Sequence, residues 1–287
     1  MDLLNPQRKD LGGGFTVSRL LPAAGRQGVG PFVFFDHFGP VDVGPADNHD
    51  VRPHPHIGLA TVTYLFEGAM QHHDSTGALQ RIEPGAVNWM SAGRGIVHSE
   101  RTPDELRGLQ RRIHGLQLWL ALPAADEEMA PAFAHTPASA IPEIEVGGAW
   151  LRVLVGEAYG AVSPVAVRSP TLFVDITLGA GDAFPLPPAV ERAVYVVEGA
   201  AQLDGEDIPR GRMVLLAEGD DAMLSADADA RVVLIGGTPL GPRHLWWNFV
   251  SSRKARLLQA ADDWAAQRLG SVPGETDFIP LPDKRPT

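Results

Sequence analysis

Two segments of the chain decide its fold, RPHPHIGLATVTYLFEG (52–68) and PGAVNWMSAGRGIVHSE (84–100). They offer two pairs of side chains that can bind a metal, with one residue between the members of each pair: His54 and His56, then His98 and Glu100. Residues i and i+2 of a β-strand point to the same face of that strand. Two neighbouring strands can therefore direct all four side chains to one point, and we predict that they hold a single metal ion inside a β-barrel.

Each pair also has a plainer interpretation when it is considered alone. His54 and His56 stand beside prolines, as loop histidines do, and a surface strand could carry both His98 and Glu100. Together, however, the two pairs lie at the edges of predicted strands that are separated by one hairpin. In each pair, both side chains are at positions expected to point to the inner face of the strand. Three neutral imidazoles and one carboxylate suit a divalent first-row metal (Fe(II), Mn, Ni, Cu or Zn) and leave coordination positions open for a substrate. The set therefore predicts a catalytic metal site.

Other polar residues near these segments have weaker signals. His72 and His73 belong to the turn-like HHDSTG and are predicted to be solvated loop residues. His37 and His49 could support the ligands from behind, although the sequence does not decide this. Arg94 lies between glycines and could contact a substrate or a partner, but a plain turn role is the simpler interpretation. The remaining histidines are predicted to be structural: His114, His135 and His244.

The segment from Leu59 to Glu67 alternates as a β-strand does. One face would carry four residues in phase with the first histidine pair, if no bulge intervenes: Ala60, Val62, Tyr64 and Phe66. The opposite face would carry Thr61 and Thr63. We therefore expect the apolar face to continue the side of the strand on which the metal ligands lie.

The second half of the chain repeats this design. TYLFEG (63–68) aligns with VYVVEG (194–199), and a glycine later opens a new strand in each copy. The second copy has no histidine from Leu151 to Arg243, so it cannot use the same ligands. The pattern predicts an all-β protein of two tandem barrels. The predicted divisions are a metal-binding barrel, a barrel without metal ligands, and a terminal aromatic segment with a helix and a tail: 1–135, 136–240 and 241–287.

A change of pattern near the C-terminus predicts one helix from Ser251 to Leu269. Ser251 or Ser252 can cap its start, and Gly270 can end it. Five residues form its expected apolar stripe: Leu257, Leu258, Ala261, Trp264 and Ala265. The aromatic HLWWNF before the helix is expected to pack it onto a barrel.

The amino-acid composition and the net charge of the chain exclude several classes of protein. The 287 residues are 44% hydrophobic, which is enough for a large core, while 31 glycines and 25 prolines favour short elements joined by turns. A net charge of −11 without a basic block argues against direct contact with nucleic acid or anionic membranes. The absence of cysteine excludes disulfides and thiolate ligands. No apolar run approaches the roughly 18 residues that span a bilayer, and a cytoplasmic protein is expected.

Five segments between about Leu11 and Pro123 resemble the pirin family, in the family's order: PFVFFDHFGP, RPHPHIGLATVTYLFEG, HHDSTG, PGAVNWMSAGRGIVHSE and GLQLWLALP. The later GGTPLGPRHLWWNF is similar to bacterial members. The resemblance implies a bicupin, two cupin barrels in tandem, with one metal ion, usually iron, in the N-terminal barrel. The family's ligands correspond to His54, His56, His98 and Glu100. Broader cupins place a glutamate just after the first histidine pair, where this chain has Ile57–Ala60, so Glu100 has to supply the carboxylate.

The resemblance implies two functions that share these ligands. One is a quercetin 2,3-dioxygenase-type oxidoreductase, in which the ion binds the adjacent oxygens of a flavonol and molecular oxygen opens the ring. Glu100 would then also accept the substrate's proton. The alternative is a metal- or redox-responsive regulatory protein that acts through protein partners, as animal pirins do in transcription. A barrel that keeps an ion mainly for stability is a third interpretation.

Overall fold

The computed structural model describes residues 2–11, 15–217 and 219–285. Within these ranges the chain forms 26 β-strands and one α-helix, α1 (Lys254–Ala265), which confirms a mostly-β protein with a C-terminal helix. No helix in the described part of the chain has the length and apolar character needed to cross a membrane.

The strands are numbered in chain order. The first eleven are β1 (Asp2–Leu4), β2 (Gln7–Asp10), β3 (Thr16–Leu21), β4 (Phe32–Val43), β5 (Val51–His56), β6 (Leu59–Glu67), β7 (Met70–Asp74), β8 (Leu79–Ile82), β9 (Val87–Ser91), β10 (Ile96–Arg101) and β11 (Arg111–Ala121). The next eight are β12 (Ala132–Thr136), β13 (Glu143–Val146), β14 (Ala149–Val155), β15 (Glu157–Ala158), β16 (Ala161–Val162), β17 (Thr171–Leu178), β18 (Ala183–Pro185) and β19 (Glu191–Glu198). The last seven are β20 (Ala200–Leu203), β21 (Glu206–Pro209), β22 (Met213–Leu216), β23 (Met223–Ser225), β24 (Ala230–Gly237), β25 (His244–Trp246) and β26 (Phe249–Ser251).

The chain divides into two compact units, which we name by their histidine content. The histidine unit contains Lys9–Val17, Asp36–His135 and Gly241–Thr287, and all ten histidines of the sequence fall within these ranges. The histidine-free unit contains Met1–Arg8, Ser18–Phe35 and Thr136–Leu240. The N-terminal strand β1 belongs to the second of these, where it pairs antiparallel with β22.

The histidine-free unit has a seven-stranded sheet in the order β1-β22-β19-β24-β17-β14-β13 and a four-stranded sheet in the order β18-β23-β20-β21. Apolar side chains from both sheets form one buried cluster, which includes Val174, Val194 and Leu224. The strand β19 carries the VYVVEG segment and is followed by Gly199, whose φ is +70°. The unit therefore has the ordinary core of a β-domain.

The histidine unit contains the same pair of sheet sizes. Its four-stranded sheet has the order β5-β10-β7-β8. It also holds most of a seven-stranded sheet with the order β12-β9-β6-β11-β4-β3-β2, in which some residues of β2, β3, β4 and β12 are counted with the histidine-free unit. The strand β6 carries the TYLFEG segment and is followed by Gly68, whose φ is +87°. The repeat in the sequence thus corresponds to a repeat of strands and turns.

The strands β5 and β10 lie side by side, as the spacing of the histidines predicts. Their antiparallel register places His98 opposite His54 and Ile96 opposite His56. The register shifts between His98 and Glu100, which is the sign of a β-bulge. The other edge of β10 pairs with β7, and this pairing places the HHD segment in a strand of the same sheet.

The prediction that the apolar face of β6 lies on the same side as His54 and His56 is wrong. Gly58 interrupts the chain between β5 and β6 with a φ of +65°, and the two strands join different sheets. Alternation therefore does not carry across residue 58. The threonine face of β6 points to the candidate ligands instead, since the Thr63 hydroxyl lies 3.3 Å from Glu100 Oε1.

The helix is shorter than predicted and begins differently. Ser251 ends β26, and the hydroxyls of Ser251 and Ser252 bond to the buried Glu127 at 3.0 and 2.9 Å instead of capping α1. The buried stripe includes Leu257, Ala261 and Trp264 as predicted, and Ala260 joins it. The other two predicted members of the stripe are exposed, because they lie on the solvent side of the helix: Leu258 and Ala265.

The tail after the helix lies on the outer side of the histidine strands. The backbone N–H of Ile279 donates to the carbonyl of Pro53 at 2.8 Å, and the Ser99 hydroxyl donates to Glu275 at 2.5 Å. Glu275 also pairs with Arg101. These contacts support β5 and β10 from the face opposite to the histidine pairs.

Gly58 provides a test of this arrangement. A β-carbon at residue 58 would lie 2.0 Å from the Val250 carbonyl oxygen. We expect Gly58→Ala to lower the free energy of unfolding by about 3 kcal/mol or more, because it adds a clash to an unfavourable φ. Gly77→Ala is the matched control, since Gly77 has a φ of +91° and no atom within 4 Å of its added β-carbon. Urea denaturation measures both, and equal losses would contradict the prediction.

Candidate metal centre

Three histidines converge on one point within the histidine unit. The ligand atoms of His54, His56 and His98 all lie within 4.8 Å of one another, and all three residues are buried. The Nε2 atoms of His56 and His98 are 3.1 Å apart, and the rings of His54 and His98 have centroids 4.4 Å apart. The convergence of these three predicted ligands therefore follows from the β5–β10 pairing.

Backbone carbonyls orient two of these rings. His54 Nδ1 lies 2.9 Å from the carbonyl oxygen of Arg52, and His56 Nδ1 lies 3.0 Å from that of Asn248. A carbonyl oxygen can only accept a hydrogen bond, so each Nδ1 must carry the proton. In a neutral ring the Nε2 atom then presents its lone pair, which is the form that binds a metal.

Burial keeps the three rings neutral. It lowers the pKa of His54 from 6.5 to about 4. Burial also lowers the pKa of His56 and His98 well below 6.5, and charge repulsion from the neighbouring histidines adds to both shifts. Near pH 7 all three rings are therefore neutral, and each keeps one nitrogen lone pair that can bind a metal.

The spacing fits a first-row divalent ion. Metal–imidazole bonds are about 2.1 Å long, so two such ligands lie about 3.0 Å apart at a right angle and about 3.4 Å apart at the tetrahedral angle. The 3.1 Å separation of the His56 and His98 Nε2 atoms falls between these values. Together with His54, these residues are consistent with a metal site.

Glu100 is buried beside the triad, but it is not among the three residues whose ligand atoms group within 4.8 Å. The Thr63 hydroxyl lies 3.3 Å from Glu100 Oε1 and 2.9 Å from Gln117 Oε1. Burial raises the pKa of Glu100 to about 7, with the Thr63 hydrogen bond opposing the shift. Its roles as fourth ligand and as proton acceptor remain predictions.

The predicted loop role of His72 is wrong. His72 lies in β7 and is 3% exposed, because β7 pairs with β10 and turns this side chain inward. Its ring stacks on Phe133 at 4.2 Å, and its Nδ1 lies 3.4 Å from His98 Nδ1. His72 Nε2 is 2.9 Å from the carboxylate of the buried Asp74. The i, i+2 spacing of His72 and Asp74 was the signal that could have revealed this pair.

The other histidines lie apart from the triad. His37 and His114 are buried together, with their Nε2 atoms 2.7 Å apart. His49 stacks on Phe15 at 4.8 Å. Two more have the outer positions expected of structural residues: His135, bonded to Asn88 at 2.7 Å, and the exposed His244.

A small cavity adjoins Glu100. Its volume is about 30 Å³, and its lining includes Phe15, His49, Leu106 and Arg111. This volume is enough for about one water molecule. A larger cavity of about 620 Å³ lies around Trp150 in the histidine-free unit, which lacks the triad. The size of a cavity therefore does not identify the candidate site in this protein.

Fold and site together define a bicupin with a histidine triad in one of its cupin domains. Residues 14–120 match the family model described as Pirin, and residues 173–270 match the Pirin C-terminal cupin domain. The chain belongs to the pirin family, which confirms the predicted resemblance and the two cupin domains.

Three similar proteins illustrate this membership. A "Pirin-like protein" of Caulobacter vibrioides is 45% identical over 287 residues, covering 98% of this chain and 99% of the relative. A Pseudomonas aeruginosa protein named "putative quercetin 2,3-dioxygenase" is 38% identical over 260 residues, covering 89% and 80%. A crystal structure of quercetin 2,3-dioxygenase from Acinetobacter baumannii is 35% identical, with a TM-score of 0.91 and coverage of 99% and 97%.

The raised pKa of Glu100 predicts proton release on metal binding. If Glu100 is a ligand, Ni(II) binding at pH 6 displaces about 0.9 proton from a group whose pKa is about 7, and about 0.1 at pH 8. The histidines release few protons, because their lowered pKa values keep the rings neutral before the metal binds. Calorimetric titration in buffers of different ionisation enthalpy measures the number of protons. Glu100→Gln should release almost none at either pH, and an unchanged release would exclude Glu100 as a ligand.

Proposed function

We propose that this protein is a mononuclear metal-binding pirin with quercetin 2,3-dioxygenase-type activity toward flavonols. Fe(II) is the metal we favour among the first-row ions that three imidazoles and a carboxylate can bind. The names of the Pseudomonas and Acinetobacter relatives support the reaction class. The substrate and the metal are part of the proposal.

The observation that carries the proposal is the convergence of three buried, neutral imidazoles. Carbonyl partners direct the Nε2 lone pairs of His54 and His56 toward the same region, and His98 Nε2 lies 3.1 Å from that of His56. Lone pairs that face each other in a dry interior repel unless a cation lies between them. Three protein ligands also leave positions open for a substrate, as in catalytic metal sites.

The chain's own groups have defined tasks in this reaction. When bound, the ion supplies Lewis-acid polarisation of the adjacent flavonol oxygens and access to dioxygen chemistry. Glu100 accepts the proton of the substrate hydroxyl, which requires the carboxylate to lie within hydrogen-bond reach of that hydroxyl. Thr63, which lies between Glu100 and Gln117, holds the carboxyl group in place.

The small cavity beside Glu100 adds a requirement to this function. Pockets that bind molecules of drug size usually enclose about 300–1,000 Å³, whereas this cavity encloses about 30 Å³. The lining of this cavity includes Glu100 but none of the three histidines, so a flavonol that reached Glu100 through it would need its rim, which includes Leu106 and Arg111, to open. The segment before Arg111 contains only one short 3₁₀ turn, Asp104–Leu106, whose residues are not buried.

The same cavity favours a second candidate function. A protein that responds to the charge or oxidation state of its metal, and signals through a protein partner, needs no room for a flavonol. Its ligands would be the same three histidines. Binding of a metal without turnover of any flavonol would support this function over the enzyme.

The test of the enzyme is oxygen uptake by the Fe(II)-loaded protein with quercetin. We expect metal-dependent uptake, and His56→Ala should lower it at least about 100-fold, because removing a ligand impairs metal binding more than removing a supporting group does. His244→Ala is the matched control, since this exposed histidine lies outside the site.

The metal content of each protein, measured in the same samples, separates the outcomes. Full metal loading without uptake over a panel of flavonols and catechols would reject the dioxygenase and leave the regulatory function. Equal metal content in the parent protein and in His56→Ala would reject the metal site itself.

A further inference from the structure

We propose that His72 and Asp74 are positioning residues that orient His98 for metal binding. The inference rests on the metal site of the proposed function, and it assigns a task to two buried residues outside the predicted ligand set. The contact chain runs from His98 Nδ1 to His72 Nδ1 at 3.4 Å, and from His72 Nε2 to Asp74 Oδ2 at 2.9 Å.

The chain of contacts is anchored at Asp74, which is 0% exposed. Asp74 Oδ1 accepts hydrogen bonds from the backbone N–H of Thr76 at 2.8 Å, from the Thr76 hydroxyl at 2.6 Å and from the N–H of Ala78 at 3.3 Å. These bonds hold the carboxylate in one orientation, with Oδ2 directed to His72. A buried carboxylate with four donors is a rigid reference point for the ring beside it.

The directions of both hydrogen bonds follow from Asp74 when the His72 ring is neutral. An ionised carboxylate can only accept, so His72 Nε2 carries a proton. In neutral His72 the Nδ1 atom is then an acceptor, and His98 Nδ1 must donate to it. His98 Nε2 is left with its lone pair directed toward the triad. Each ring of the triad thus has an acceptor at Nδ1, which is the arrangement that orients metal-binding histidines.

His98 differs from the other two histidines in the kind of partner it has. His54 and His56 are held by backbone carbonyls, which substitution cannot remove. His98 is held by a side chain, which is itself clamped between Asp74 and the ring of Phe133 at 4.2 Å. Position 72 therefore controls the orientation of one ligand without occupying a coordination position.

A purely structural role for His72 would be to fill space beside Phe133, and two variants separate the alternatives. His72→Leu fills a similar volume but offers no acceptor to His98. His72→Asn places an amide oxygen near the position of the lost Nδ1 atom, although it has no ring to stack. His73→Leu is the matched control, because His73 is next in β7 and its side chain lies 3.7 Å from Glu275 on the outer face.

The experiment measures Co(II) affinity and the visible spectrum of bound Co(II) for each protein. We expect His72→Leu to weaken binding about 10- to 100-fold and to shift the Co(II) bands, as loss of a ligand's supporting group does. His72→Asn and His73→Leu should stay within about threefold of the parent, and Asp74→Asn should weaken binding about tenfold. Equal affinity and spectrum in the parent and His72→Leu would overturn the proposal, as would a failure of His72→Asn to recover the affinity.

A second measurement does not depend on the folding of any variant. In the Zn(II)-loaded parent with ¹⁵N-labelled histidine, NMR should find His72 protonated at Nε2 and unprotonated at Nδ1. A proton on His72 Nδ1 would overturn the proposal, because that nitrogen could not then accept from His98. If the parent binds neither Co(II) nor Zn(II), the metal site itself fails. If it binds them and His72→Leu binds as tightly, the site stands and only the positioning role is rejected.

Discussion

The arrangement of the histidine unit depends on the antiparallel pairing of β5 with β10. This register places His98 opposite His54, and together with the inward turn of His56 it collects three nitrogen donors in a buried region. Burial keeps the rings neutral, and backbone carbonyls that accept from the Nδ1 atoms of His54 and His56 direct the Nε2 lone pairs of these two rings toward the same region. Lone pairs of neutral rings that face one another repel each other in the absence of a cation, and the same lone pairs can bind a cation. The β5–β10 pairing therefore sets both the geometry of the site and the chemistry that the site can perform.

The supports of this site come from several parts of the chain that are far apart in sequence. The carbonyl of Asn248 lies next to β26 and orients His56, while Thr63 on β6 reaches Glu100. The tail beyond α1 contacts Ser99 and Pro53 on the outer side of the same strands. The four-stranded sheet is therefore held on both faces, which explains how short strands can keep ligands in place.

The two cupin domains share one fold but differ in the side chains that line them. Both contain a seven-stranded and a four-stranded sheet, and both have a glycine after the equivalent strand. The histidine-free unit fills its interior with aliphatic side chains such as Val174 and Val194 and offers no imidazole. The proposed function thus depends on the side chains that line one domain and not on the fold alone.

The sequence by itself determined the β-class, the repeat, the C-terminal helix and the candidate ligands, because period-two spacing and residue type are local properties. Tertiary structure alone decided what depends on distant partners. Gly58 sends β5 and β6 into different sheets, so alternation could not predict that Thr63 and not Tyr64 faces Glu100. The sequence around His72 is typical of a loop, but β7 pairs with β10 in the structure and His72 is buried there. The sequence could not predict this burial, because it depends on which strand lies beside β7.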